Sequence, residues 1–146
     1  MRLEKPLNLG KSNIGRVCLP DNKHPVKPGT CTVTGWGHTI YGDVNSQTNK
    51  LNEVEVDVIS RAECNLKKNW DGHVNPRNIC AGKEEGGKDA CQYDSGGPLV
   101  CERNGVWYQE GISSSGGACG AKNQYGLYSN VALLKEWVVE AVLLTD

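Results

Sequence analysis

Phenylalanine is missing from this 146-residue chain, methionine occurs once, and 18 residues are glycine. That balance points away from a helix-rich core and towards strands joined by tight turns. No apolar run approaches the roughly 20 residues that a bilayer-spanning helix needs. A charge of one sign is also lacking. The net charge is −1 and the 16 basic residues are scattered, which leaves no electrostatic footprint for nucleic acid or an anionic membrane. The length suits one domain with a modest core, and the chain shows neither an internal repeat nor a low-complexity stretch.

No Cys-x-x-Cys pair occurs among the seven cysteines, which are spread as Cys18, Cys31, Cys64, Cys80, Cys91, Cys101 and Cys119. Long, irregular spacings at this density read as a disulfide framework from an oxidising, extracellular compartment, with buried free thiols as the alternative. No metal site and no cofactor is expected. The opening residues Met1-Arg2-Leu3-Glu4-Lys5-Pro6 lack the apolar region of a signal peptide. An odd number of cysteines leaves one without a partner inside the chain. Both features are expected if the sequence lacks its front.

Short strand-like segments alternate with Gly, Pro and Asn, as in an all-β barrel or sandwich. Thr30 to Trp36 alternates β-branched residues. Val54, Val56 and Val58 share one face of a strand, with Glu53, Glu55 and Asp57 on the other. Pro98–Glu102 and Val106–Ile112 flank Arg103-Asn104-Gly105, a hairpin turn, and Tyr125–Ser129 reads as a further strand. From Val131 to Leu144 the apolar residues Val131, Leu134, Val138, Ala141 and Val142 recur at helical spacing, with Asn130 placed to cap the first turn. Segments 20–29, 38–50 and 68–78 are expected as surface loops.

Chemistry concentrates in Lys88-Asp89-Ala90-Cys91-Gln92-Tyr93-Asp94-Ser95-Gly96-Gly97-Pro98. A serine hydroxyl is a poor nucleophile unless a fixed, exposed turn holds it beside a base and an oxyanion hole. Asp-Ser-Gly-Gly-Pro suits such a turn: the glycines allow close backbone approach and the proline restricts the exit into the next strand.

This motif resembles that of the trypsin/chymotrypsin family of serine proteases. Val17-Cys18-Leu19-Pro20, Cys31-Thr32-Val33-Thr34-Gly35-Trp36-Gly37, Asn78-Ile79-Cys80-Ala81-Gly82, Gly111-Ile112-Ser113-Ser114 and Trp137 follow in the family's order and spacing. The resemblance implies an all-β fold, the second of the family's two six-stranded antiparallel Greek-key barrels, closed by a C-terminal helix. Residues 1–146 are then the C-terminal barrel of a peptidase domain whose N-terminal barrel is absent.

The resemblance also implies roles. Ser95 attacks the scissile carbonyl, and its N–H supplies half of the oxyanion hole. Asp94 pairs with the new N-terminus formed on zymogen cleavage. Asp89 lies at the base of a specificity pocket, where an unpaired carboxylate selects Lys or Arg. Ala90, in place of a common serine, favours Arg over Lys. Ser114 belongs to the substrate-binding wall, and Gly116 and Gly126 keep that wall open. Family pairing joins Cys31 to Cys101, Cys64 to Cys80 and Cys91 to Cys119. Cys18 is left to tie the domain to an upstream propeptide or light chain. The partners implied are polypeptide substrates with Arg or Lys and the absent N-terminal barrel, with no nucleic acid and no membrane.

Several positions depart from the family. The Ala-x-His-Cys and Asp-Ile-Ala-Leu contexts of the triad's histidine and aspartate do not occur, and Met1-Arg2-Leu3 resembles the continuation of the second. His24, His38 and His73 are expected as solvated loop histidines. Tyr93 replaces the glycine whose N–H is the second oxyanion donor. Its peptide either flips, losing that donor, or keeps its orientation and points the ring to solvent. Ser115 replaces a tryptophan, which weakens apolar contact with the substrate. Tyr125 stands where many trypsins have proline, as in the sodium-activated members, and one residue does not carry a sodium site. The leading expectation is a secreted trypsin-like endopeptidase represented in part. A non-catalytic protease-like binding module is the alternative. A third reading is an interaction protein that associates through an apolar surface left uncovered.

Overall fold

The computed structural model describes residues 3–10 and 13–144. The reading of Met1-Arg2-Leu3 as the end of an upstream strand lies, for its first two residues, outside them. Six strands make up the body: β1 (Gly29–Gly35), β2 (Asn52–Ile59), β3 (Asn78–Gly82), β4 (Pro98–Arg103), β5 (Val106–Ser115) and β6 (Gly126–Asn130). A short helix α1 (Arg61–Cys64) follows β2, and helix α2 (Val131–Leu143) follows β6. All pairings are antiparallel, and the order β1-β2-β3-β6-β5-β4 returns to β1 to close a barrel.

Strand period explains the core. Cys31 and Val33 of β1, Val56 and Val58 of β2, Ile79 and Ala81 of β3, Leu99 and Cys101 of β4 and Tyr128 of β6 form one buried cluster. Each large member contributes on the order of 1.5–3 kcal/mol by leaving water. A second cluster of Cys64, Val74, Cys80, Tyr125 and Leu127 lies under α1, with Trp70 packed against it. The Trp70 indole N–H donates to the Tyr125 carbonyl at 2.9 Å. Disulfides join Cys31–Cys101, Cys64–Cys80 and Cys91–Cys119, and Cys18 is free and exposed. Cys18 lies along β5: its N–H donates to Trp107 O and its carbonyl accepts from Gln109 N–H, both at 2.9 Å.

Two irregularities shape β5. Its register with β4 steps from Leu99↔Gly111 to Val100↔Gln109, which leaves Glu110 as an extra, bulged residue. Glu110 is 0% exposed and ion-paired with Arg103. The Arg103 guanidinium also stands 4.6 Å from the centre of the Tyr108 ring and donates to His24 O at 3.1 Å. Against β6 the register steps from Ser113↔Tyr128 to Ser115↔Leu127, so Ser114 is bulged in turn. The β4–β5 turn carries Asn104 and Gly105 at φ 53° and 79°, the left-handed pair that a tight hairpin requires.

Helix α2 starts where the periodicity predicts, and Val131 and Ala132 bury its first turn. Asn130 occupies the cap position without a side-chain capping bond; its amide donates to Pro76 O at 3.4 Å instead. Leu133, Trp137 and Leu143 remain exposed. Among the described residues, no helix is long and apolar enough to cross a membrane.

Candidate active site

Ser95 is exposed on the loop between β3 and β4. Backbone bonds fix this loop. Asp94 N–H donates to Cys91 O at 3.0 Å and Gly97 N–H to Asp94 O at 2.9 Å. Gly96 N–H reaches Ser113 O at 2.9 Å, and Ser113 N–H reaches Gly97 O at 2.8 Å, which lashes the loop to β5. The Cys91–Cys119 disulfide anchors its other side.

Beside Ser95 opens a cavity of about 160 Å³. Asp89, Ala90, Ser95, Ser114, Gly116 and Gly126 all line it, so one pocket brings together six residues singled out in the sequence. Asp89 Oδ2 accepts from Gly120 N–H at 3.1 Å, while Oδ1 is buried with no partner. Burial pushes the Asp89 carboxyl up to about 6, against the pull of the Gly120 and Ala90 N–H groups, and the charge of Asp94 adds to the rise. A Cβ on Gly126 would fall 2.8 Å from Asp89 Oδ1, so any other residue there would crowd the carboxylate.

Tyr128 lines the same cavity and was not among the residues expected. Its hydroxyl is buried without a partner, and its pKa is raised by that burial and then by the charge of Asp89. As one more apolar member of a strand it carried no sequence signal for a pocket role.

Tyr93 and Asp94 lie outside the cavity. Asp94 turns back into the body: Oδ1 accepts from Gly37 N–H at 2.8 Å and Oδ2 from Cys91 N–H at 3.0 Å. A Cβ on Gly37 would stand 2.5 Å from both Asp94 Cγ and the Gln92 carbonyl, so the approach depends on glycine. A second cavity of about 280 Å³ lies here, lined by Gly37, His38, Lys88, Asp89 and Asp94 among others. Tyr93 is the third residue of the turn Cys91–Asp94 and takes φ +73°, a left-handed angle that costs a non-glycine residue on the order of 1–3 kcal/mol. Its side chain is 68% exposed. The N–H groups of Tyr93 and Ser95 donate to no described residue.

The histidines divide. His24 is exposed and paired with Asp21 at 2.9 Å, which lowers the Asp21 pKa, and His73 is exposed. His38 corrects the expectation of a solvated ring: it is 8% exposed, and both ring nitrogens are buried without partners. Its backbone N–H donates to Gln92 O at 2.9 Å, which draws the loop after β1 onto the serine loop, and the ring stands 4.9 Å from that of Tyr93. Among the described residues, no histidine is hydrogen-bonded to Ser95, and no group of acidic, histidine or cysteine side chains could hold a metal ion.

The arrangement joins an exposed serine, an acid-floored pocket and a disulfide-pinned loop on a closed barrel, and known proteins share its sequence. The chain is 38% identical over 142 residues to testisin of Homo sapiens, covering 94% of itself and 45% of that protein. It is 41% identical over 138 residues to transmembrane protease serine 11E of Mus musculus, covering 93% of itself and 32% of that protein. It thus spans less than half the length of these curated relatives. The Trypsin family model matches residues 1–138, and on that match, over the barrel and the serine loop described, the chain belongs to the trypsin family of serine proteases.

Proposed function

We propose that this chain is the second barrel of a secreted, trypsin-like endopeptidase that cleaves after arginine and, more slowly, after lysine. The observation that carries the reading is the unpartnered Oδ1 of Asp89 in a cavity rimmed by Ser95. A buried acceptor without a donor favours a ligand that brings one, and a guanidinium brings several. Ala90 offers no hydroxyl to help hold a lysine ammonium, which tilts the preference to arginine. Ser114, Gly116 and Gly126 form the walls.

Ser95 is the nucleophile. The free N–H groups of Ser95 and Tyr93 are the donors for the oxyanion, and the glycine-like φ of Tyr93 supports that role. Asp94, at the edge of the second cavity, is the acceptor for a new N-terminus after zymogen cleavage. The histidine and aspartate of the triad come from a first barrel. Exposed Leu7, Val17, Leu19 and Trp137 supply the apolar surface that it covers. Cys18 bonds to an upstream propeptide or light chain, and the three disulfides support an extracellular location.

The test is to express the chain in one polypeptide behind a first barrel carrying the histidine and aspartate, and to activate it by proteolysis. Arginyl peptides should then be hydrolysed faster than lysyl ones, and a phosphonate bearing an arginine-like group should label Ser95. Absence of both turnover and label sinks this reading and leaves the competing one, a protease-like module that binds without cleaving. The lack of a histidine contact at Ser95 among the described residues favours that competitor for the isolated chain.

A further inference from the structure

The turn Cys91-Gln92-Tyr93-Asp94 is closed by the Asp94 N–H to Cys91 O bond and pinned at both ends. The Cys91–Cys119 disulfide holds its start, and the Gly37 N–H to Asp94 Oδ1 bond holds its end. Between these anchors the freedom left is rotation of the central peptide, Gln92–Tyr93. Of the two inner residues only Tyr93 has a positive φ, +73°. A negative φ followed by a positive one marks a type II turn, which favours glycine at its third position. Type I differs by a half-rotation of the central peptide and suits residues that carry a Cβ. Tyrosine therefore sits in a turn that its own backbone preference would flip.

Two contacts oppose the flip, and His38 makes both. Its backbone N–H donates to Gln92 O at 2.9 Å. In a trans peptide the carbonyl and the N–H point in opposite directions. Holding Gln92 O on the side of the β1 exit therefore turns the Tyr93 N–H away from that side, and it donates to no described residue. The second contact is between the rings, with centroids 4.9 Å apart and planes at 51°, a spacing at which aromatic pairs attract. The His38 ring is buried, and neither of its nitrogens has a hydrogen-bond partner among the described residues. It acts here as a packing surface.

We infer that the His38 side chain is a positioning residue: it seats the Tyr93 ring, holds the turn in its type II form, and so keeps the Tyr93 N–H available as an oxyanion donor. This rests on the endopeptidase reading, in which the N–H groups of Tyr93 and Ser95 are the two donors. The Gln92–Tyr93 peptide is then a two-state element. In the type I state its N–H and carbonyl exchange sides, and a developing oxyanion meets a carbonyl where it needs a donor. Glycine at this position would need no seat. Tyrosine does, and the His38 ring supplies it.

The experiment is a double-mutant comparison in the assembled protease. His38→Ala keeps the backbone N–H and removes the ring. It should lower kcat on an arginyl peptide about tenfold, with benzamidinium affinity unchanged because the Asp89 cavity is untouched. His38→Phe keeps a ring and should restore kcat to within about twofold. In a Tyr93→Gly background, His38→Ala should change kcat by less than about twofold, since glycine takes the positive angle unaided. An equal loss in both backgrounds, or no loss with tyrosine present, overturns the inference while the endopeptidase reading stands. Tyr93→Ala, at an exposed position, keeps the strained angle without the ring and covers the case in which His38→Ala fails to fold. Its kcat should fall about tenfold below that of Tyr93→Gly, and equal rates overturn the inference. If no arginyl peptide is cleaved by any form, the endopeptidase reading falls. A crystal structure of the Tyr93→Ala protein then decides the seat: a negative φ at residue 93 with Gln92 O released from His38 supports it, and a retained positive φ overturns it.

Discussion

Asp89 and Asp94 stand five residues apart on one loop, and their surroundings are opposite. Asp94 spends both oxygens on backbone N–H groups, from Gly37 and Cys91. Asp89 meets one N–H with one oxygen and leaves the other buried and bare. The first carboxylate holds the fold together. The second is held by the fold in a state that favours a cation. Hydrogen-bond satisfaction, more than burial, separates the two carboxylates in this structure.

The largest expected effect breaks the comparison at Asp89. In the assembled protease, Asp89→Asn should lower kcat/KM for arginyl substrates about 10,000-fold, since a site built around one charged partner discriminates at that scale. The same change should leave the Cys91–Asp94 turn intact. A loss below tenfold would remove Asp89 from recognition.

Asp94→Asn tests the other member. An amide presents NH2 where one of the two N–H donors now points, so a donor faces a donor. Urea unfolding of the chain should show a loss of about 2 kcal/mol. Asp89→Asn, which relieves a buried charge, should not destabilise the chain at pH 7. Equal losses in the two variants would erase the distinction.

The smallest effect sharpens the comparison by pH. The folded-state pKa of Asp89, about 6, lies above its ordinary 3.8. The folded chain therefore holds this proton more tightly than the unfolded chain. Ionising Asp89 works against the fold as pH rises from about 4 to about 6, and the loss is complete above that. A bound amidinium reverses the balance, because it needs the ionised form. Calorimetry with benzamidinium should show affinity rising tenfold per pH unit below about 6 and flat above it. A flat profile across pH 5–7 would contradict the raised pKa.

Most of the barrel is legible in the sequence, because β1, β2, β4 and β5 alternate buried and exposed residues or flank a turn with a distinct signal. β3 is not legible by period. Ile79 to Gly82 are all buried, and a five-residue strand covered on both sides has no alternation to read. Glu110 shows a different limit. In a regular strand one acid amid Val106–Ile112 faces water, and only the bulge opposite Leu99 and Val100 turns it inward to Arg103. The burial of His38 has no signal in its own stretch of sequence: its ring meets that of Tyr93, 55 residues away in the chain, a contact that no local pattern encodes. The pocket roles of Asp89, Ala90, Ser114, Gly116 and Gly126 rest on the family resemblance, and that resemblance implies none for Tyr128.

Closure of the sheet has a consequence for how this chain can aggregate. Because β4 returns to β1, the described residues offer no long free strand edge on which another chain could add in register. Cross-β growth from the folded state is thereby blocked until β1 and β4 separate, and the Cys31–Cys101 bond spans that seam. Non-covalent self-association of the folded chain is left to side-chain surfaces such as the Trp137 face of α2. It should be reversible on dilution, whereas reduction of that disulfide should open the route to fibrils.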